Sequence, residues 1–277
     1  MLHLLKRHSF PVKAFFRHSL VLTYAFPEEI LRPLLPPGLV LDTYKELGFL
    51  AIALVQTENL RPWFFPWFFP EMLGQNFFLS GYRIFTRLDT PSGSIRGLRI
   101  LRSDTDKMRM VLFGNLLTHY AYSLCTASCQ ELSGELQIKI TTPHAQADLE
   151  VRADIAGKPA ALPDGTPFES EKDARKFAGP LPYTFDYEKE TSSIVMIRGV
   201  RENWNPQPVR VEISKCTFFQ REPFCRTAPL LANAFHLQAV SYRWESGVLS
   251  CVGRPAAQEL PHDEETHGLD LPEGNSE

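Results

Sequence analysis

Residues 16–26, FRHSLVLTYAF, crowd β-branched and aromatic residues together with few breaks, which predicts a strand. PEEILRPLLPPG follows and changes the pattern. Pro27 suits a helix start, Glu28 and Glu29 fall in a first turn where carboxylates meet the helix dipole, and Pro36-Pro37-Gly38 ends it. Strands resume in LVLDTY and LGFLAIALVQTENL, and after an aromatic stretch in residues 76–88 and 94–103, the last two separated by the turn DTPSGS. SDTDKMRMVLFGN predicts a second helix, capped by Ser103 or Asp104, with Met108, Val111 and Leu112 apolar and Gly114-Asn115 as the stop.

Long strands are expected at 117–128, 132–142 and 146–156. ELQIKITT and DLEVRADI alternate apolar and polar residues, so one face is wet, which fits antiparallel sheet rather than a parallel core. SEKDARKFAG reads as a short polar helix with Gly179 behind it. SSIVMIRGVRE and PVRVEISKCTFFQ predict a hairpin about NWNPQ, and HLQAVSYRWESGVLSCV a last strand or strand pair. From Gly253 the chain turns acidic and Pro/Gly-rich and loses its aromatics, the composition of a disordered tail. The organisation expected is one domain over 1–252 with an N-terminal arm, and a tail over 253–277. The fold class is β-dominated α+β, a mostly antiparallel closed or strongly curved β-barrel with about three short helices.

Composition narrows the function classes. A net charge of −3 and a pI near 6.3 give no electrostatic reason to bind nucleic acid. The five cysteines are odd in number and spread out, which fits reduced thiols and a cytoplasmic location better than a disulfide framework. No Cys/His cluster has zinc-like spacing, so no metal or cofactor is expected. No apolar run reaches the ~18 residues of a membrane span. MLHLLKRHSFPVK breaks its apolar start with charge and lacks a signal-peptide core, so it is expected to stay on the mature chain. P-loop, GxGxxG, GxSxG and HExxH patterns are missing from the sequence.

RPWFFPWFFPEML, residues 61–73, stands apart. It doubles Trp-Phe-Phe-Pro, and Pro62, Pro66 and Pro70 prevent a regular strand or helix through it. Three arrangements fit: a lid over a pocket mouth, an outer cluster covered by the N-terminal arm or a second subunit of a homo-oligomer, and a wedge in a membrane interface helped by the nearby basic residues. The lid is the expectation, with Trp63 and Trp67 against the mouth.

LVLTYAFPEEILRPLLPPGLVLDTY (20–44), FLSGYRIFTRL, LLTHYAY (116–122), ENWNP and YRWESG occur in an order and spacing that resemble the YqjF-like proteins. These form a domain of unknown function within the acetoacetate decarboxylase-like superfamily. The resemblance spans roughly residues 10 to 250 and implies a mostly antiparallel barrel or cone with an internal pocket. The superfamily's decarboxylases use a lysine made nucleophilic by an adjacent lysine, with an arginine and a glutamate completing the site. Carried over by position, the arginine is Arg17, with Tyr24 seven residues on. The glutamate position holds Leu79, and the lysine pair reads Thr118-His119. Thr118 has no amine to form an imine, so the Schiff-base mechanism is not expected here.

Two function classes follow. The first is a binding protein for a small, partly apolar organic acid, with Arg17, Tyr24, Leu79, Arg83, Arg102 and Thr118 around the ligand under the aromatic lid. Arg17 offers the planar fork that suits a carboxylate; its plainer role is a surface or strand-end arginine pairing with Glu28, Glu29 or a backbone carbonyl. The second is an enzyme, a lyase, isomerase or hydrolase, using acid–base chemistry at His119, whose plainer role is a hydrogen-bonded core histidine. Peripheral membrane contact through 62–70 is compatible with either.

Overall fold

The apolar runs become long strands. The computed structural model describes residues 2–65, 75–91, 93–157, 159–202 and 205–251. In chain order the strands are β1 (Val12–Pro27), β2 (Leu39–Leu41), β3 (Thr43–Tyr44), β4 (Leu47–Pro62), β5 (Gln75–Thr90), β6 (Gly93–Thr105), β7 (Tyr122–Leu124) and β8 (Thr126–Leu132). There follow β9 (Glu135–Thr141), β10 (Leu149–Asp154), β11 (Tyr183–Glu188), β12 (Ser193–Arg201), β13 (Gln207–Pro208), β14 (Val211–Cys216), β15 (Leu230–Trp244) and β16 (Val248–Cys251). The α-helices among the described residues are short: α1 (Leu2–Leu5), α2 (Glu28–Leu31), α3 (Met108–Leu117) and α4 (Glu171–Ala178).

Pairing runs β15-β1-β4-β5-β6-β11-β12, and β12 then pairs with β15, where Gly199 faces Trp244. The path therefore returns on itself as a ring of strands. Its pairings are antiparallel except β6 with β11 and, off the ring, β6 with β7. A second antiparallel sheet, β14-β10-β9-β8, lies outside. The alternation expected of 132–142 and 146–156 is real: Leu136, Ile138, Leu149 and Val151 are buried while Lys139 and Arg152 are exposed.

Strands β1, β4 and β5 are covered on both faces, which is why their sequences are nearly continuous in apolar residues. On the outer face Leu20, Leu22, Ile52 and Tyr82 meet the second sheet and the aromatic turns at Phe218, Phe219 and Phe224. Tyr82 stacks on Phe218 with centroids 4.1 Å apart. Full burial of each such side chain contributes about 1.5–3 kcal/mol. On the inner face β4 presents Ala51, Ala53 and Val55, and β1 presents Ser19. Side chains this small leave the middle of the ring unfilled.

Several expectations are corrected. The second helix does not begin at Ser103 or Asp104, because β6 runs on to Thr105 and pairs Ser103 with Gly81 and Asp104 with Ser80. Sheet pairing outweighs the local capping signal, and α3 starts after Lys107. Gly114-Asn115 does not stop it. Gly114 lies against the Tyr122 ring where a Cβ would not fit, and Asn115 accepts the Tyr122 N–H at 2.7 Å while donating to its carbonyl at 2.9 Å. The strand expected over 117–128 therefore becomes the end of α3, a turn, β7 and the start of β8. The hairpin about NWNPQ is not formed: β12 pairs with β11, β15 and β16, whereas β14 joins β10 in the second sheet. β11 and α1 were not expected. The helices at 28–31 and 171–178 fall where the sequence put them, and Ser170 caps the latter by accepting from the Asp173 N–H at 3.1 Å. The tail 253–277, Trp67 and Trp204 lie outside the described residues. Cys125, Cys129, Cys216 and Cys225 are free thiols. No helix among the described residues is long and apolar enough to cross a membrane.

Candidate functional site

The unfilled centre of the ring is a cavity of about 720 Å³. That is within the roughly 300–1,000 Å³ of small-molecule sites. Its walls are apolar, with Phe16, Phe77, Leu79, Ile100 and Phe235 from four strands. Ser9, Arg109 and Phe113 line it and are also exposed, so the mouth lies between the N-terminal arm and α3. Four arginines line it, Arg61, Arg83, Arg109 and Arg201, and the described lining residues include no aspartate, glutamate or lysine.

Arg83 sits on β5, opposite Ala51 of β4 and Ile100 of β6. Its guanidinium folds back over Gly81, where an added Cβ would lie 3.1 Å from Nε and 3.3 Å from Nη2. Gly81 thus clears the strand surface for the charged group. The Arg83 Nε is buried with no hydrogen-bond partner, and no ion pair reaches the side chain among the described residues. A buried donor left this way is costly. Arg201 on β12 is close by. Burial lowers its pKa, Tyr242 works against that, and the positive charge of Arg83 adds to the lowering. The Arg201 guanidinium donates to the Leu181 carbonyl and lies 5.7 Å from the Tyr242 ring centre.

Tyr120 contributes a buried hydroxyl without a partner. Burial first, then the nearby Asp186, holds its pKa well above the ordinary tyrosine value, so at neutral pH it is a donor. Asp186 stands behind it on β11, accepting from Arg99 Nη1 at 2.6 Å through one oxygen while the other has no partner. Burial pushes the Asp186 carboxyl up to about 6 against the opposing pull of Arg99. His8, from the N-terminal arm, packs its ring 5.1 Å from Tyr120, and burial, reinforced by His119, holds it down to about 4.

The expected site residues divide by strand face. Leu79, Arg83 and Thr118 line the cavity. Arg17 does not: it is exposed on the outside of β1 and its Nε donates to Glu58 at 2.6 Å. A register irregularity between Phe16 and His18 sets which residues of this stretch point inward, and Phe16 and Ser19 do so. Tyr24 is on the opposite face, packed against Phe219 with centroids 4.6 Å apart. Arg102 also turns away from the cavity, donating to Asp104 at 2.8 Å and to Gln146 at 2.9 Å. The Thr118 hydroxyl is engaged at the end of α3, donating to the Gly114 carbonyl at 2.8 Å and accepting from the Tyr120 N–H at 3.2 Å.

His119 is not among the lining residues. Its Nε2 lies 3.9 Å from Glu188, and its pKa is lowered, by burial above all. Glu188 is itself held by Arg7, whose Nε donates at 2.8 Å, and its pKa is depressed to about 2. Trp63 is exposed and lines a second, more open depression of about 560 Å³ with Lys13 and Arg243; Arg61 and Tyr242 border both spaces. Sequence reasoning missed Arg201, Tyr120, Asp186 and His8. Tyr120 stood in the LLTHYAY stretch, whereas nothing local marks Arg201.

The sequence profile of a family described as "Uncharacterized conserved protein (COG2071)", DUF2071, matches residues 13–239. No curated protein matches the chain significantly. Among solved structures, an acetoacetate decarboxylase-like enzyme from Sphingomonas wittichii RW1 is similar with a TM-score of 0.58 at 13% identity, over 87% of this chain and 93% of that one. Acetoacetate decarboxylase from Legionella pneumophila gives 0.55 at 10% identity, over 88% of each chain. The enduracididine biosynthesis enzyme MppR, complexed with the condensation product of pyruvate and imidazole 4-carboxaldehyde, gives 0.54 at 11% identity, over 86% of this chain and 88% of that one. At such identities the likeness shows the fold alone.

Proposed function

We propose a function for a chain that belongs to the DUF2071 family of uncharacterized conserved proteins: it binds a small, partly apolar organic acid inside its ring of strands. The observation that carries this reading is the Arg83 guanidinium, buried at Nε, unpartnered, and facing a cavity whose described lining holds no carboxylate. A ligand carboxylate would supply the missing acceptor, and the planar fork of arginine suits it. The Tyr120 hydroxyl offers a second donor, and the apolar walls take the rest of the ligand. The acid in the MppR complex belongs to that protein and lends support only by analogy of fold.

The reading has no part for Schiff-base decarboxylation. Thr118, where the resemblance puts the nucleophile, has a hydroxyl that donates to the Gly114 carbonyl of α3, and no described lining residue is a lysine. A second reading, acid–base chemistry on the bound acid, draws more support from Tyr120 and Asp186 than from His119. The Asp186 carboxyl at about 6 exchanges its proton near neutrality, and it acts electrostatically on Tyr120, a residue that lines the cavity. His119 is turned to Glu188 instead.

Calorimetric titration with hexanoate and with hexanamide separates a carboxylate site from a merely apolar one. The account expects hexanoate to bind at least about tenfold tighter, worth 1.4 kcal/mol. Equal affinities would show that the arginine does not read the acid.

A further inference from the structure

The mouth of the cavity is surrounded by apolar side chains that stand exposed among the described residues. Of the thirteen large hydrophobic side chains exposed among the described residues, eight lie on three segments: Leu4 and Leu5, Trp63 and Phe64, and Met108, Leu112, Phe113 and Leu116. The segments adjoin. The His8 N–H, just after α1, donates to the Leu117 carbonyl at 3.3 Å, which ties the N-terminal arm to the end of α3. Phe64 packs edge-on against Phe10 with centroids 6.1 Å apart, and Phe10 and Phe113 both line the cavity.

α3 is unusual for a surface helix. Met110 and Gly114 face inward, yet Met108, Leu112 and Leu116, spaced four apart, form an apolar stripe on the outer side. Leu112 is 64% exposed. Half of about 200 Å² for each of eight side chains is on the order of 800 Å². The largest apolar patch on a typical monomer is only about 300–600 Å².

Charge selects the occupant. Lys6, Lys13, Arg61 and Arg109 lie on these segments or beside them and make no ion pair among the described residues. The neighbouring carboxylates Asp106, Glu58 and Glu188 are engaged by Lys107, Arg17 and Arg7. Among the described residues that leaves Glu190, and Glu202 in the depression it shares with Lys13, Arg61 and Trp63, to face four cations. The sequence has no acid before Glu28. A second copy of the chain docking face to face would set these cations against themselves, because an isologous interface pairs a patch with its own image. An anionic bilayer complements them and accepts the apolar side chains as well.

We infer that the rim formed by α1, residues 63–64 and α3 docks on an anionic lipid bilayer and sets the cavity mouth against the membrane. The acid bound inside is then one that partitions into lipid, a clause that rests on the proposed binding function. Docking itself does not depend on the ligand.

The test is co-sedimentation of the full chain with vesicles of phosphatidylcholine plus phosphatidylserine, and with vesicles of phosphatidylcholine alone. The protein should pellet with the first, and about tenfold less with the second or in the first at high salt. Leu112→Glu combined with Leu5→Glu, neither of which lines the cavity, should abolish pelleting and leave the circular dichroism spectrum and hexanoate titration unchanged. Lys6→Glu with Lys13→Glu should weaken pelleting and leave Leu112 in place. Failure to pellet with either vesicle would overturn the inference. So would a dimer in sedimentation velocity that Leu112→Glu converts to monomer, since a second copy would then be what covers the patch. Vesicle binding without hexanoate binding would instead count against the proposed ligand alone.

Discussion

Replacing Arg83 by methionine keeps the apolar stem of the side chain and removes the guanidinium, so it separates a ligand-reading arginine from a structural one. The buried Nε has no hydrogen-bond partner among the described residues. A buried donor in that condition costs about 1–3 kcal/mol. Taking it away should leave stability unchanged or raise it by about 1–2 kcal/mol, a gain of roughly 2–8 °C in Tm for a chain of this size. Binding should move the other way. Losing the charge-assisted pair with a ligand carboxylate costs about 2–4 kcal/mol, or roughly 30- to 700-fold in Kd. Urea denaturation read by tryptophan fluorescence and calorimetric titration with hexanoate measure the two halves on one preparation. An Arg83→Met protein that is several kcal/mol less stable and binds hexanoate as before would refute the reasoning, because Arg83 would then be holding the fold.

Gly81→Ala places a methyl within 3.1 Å of the Arg83 Nε, so the guanidinium must shift by a few tenths of an ångström; hexanoate affinity should fall with stability little changed, and an unaltered Kd would contradict the proposed seat. Ala53→Phe should fill the middle of the cavity and abolish binding of hexanoate and hexanamide alike, whereas binding of either by a folded variant would put the ligand elsewhere. Borohydride reduction with acetoacetate should trap no adduct, and a reduced lysine adduct inside the ring, found by peptide mass mapping, would restore the Schiff-base mechanism. His8 and His236 are both held down to about 4, by burial first and by a neighbouring histidine second. Between pH 6.5 and 4 the folded chain therefore binds fewer protons at these sites than the unfolded one, and their contribution falls as pH drops through that window, by up to about 3 kcal/mol each. Asp186, raised to about 6, works in the opposite sense between about 4 and 6. His236→Gln should narrow the gap between urea midpoints at pH 7 and pH 4.5, and an unchanged gap would show that His236 does not contribute.

Long strands were legible because both faces of β1, β4 and β5 are covered, so their apolar runs are unbroken. The second sheet was legible for the opposite reason, its clean alternation. Signals failed where tertiary pairing competed with local ones. Ser103 and Asp104 look like caps but belong to a strand because Gly81 and Ser80 are there to pair with them. Gly114 looks like a stop but is the small residue that lets Tyr122 approach. At the site, the parity of a single residue decided everything. Arg17 and Arg83 are both strand arginines, and only the course of β1 past its irregularity at Phe16/His18 turns Arg17 outward while Arg83 stays inside. The ring explains why Arg201 was invisible: closure through β12 and β15 brings it beside Arg83, across more than a hundred residues of sequence.

The central claim is that a ligand carboxylate sits on Arg83 with its apolar part along the inner walls of β1, β4 and β5. A crystal structure with 6-bromohexanoate tests it most directly, because the bromine locates one end of the ligand by anomalous scattering and the density locates the other. The account predicts the carboxylate within hydrogen-bond distance of the Arg83 guanidinium, about 2.7–2.9 Å, and the bromine among Phe16, Ala53 and Phe77. An empty cavity at saturating ligand, or a carboxylate seated on Arg17 outside the ring, would contradict it.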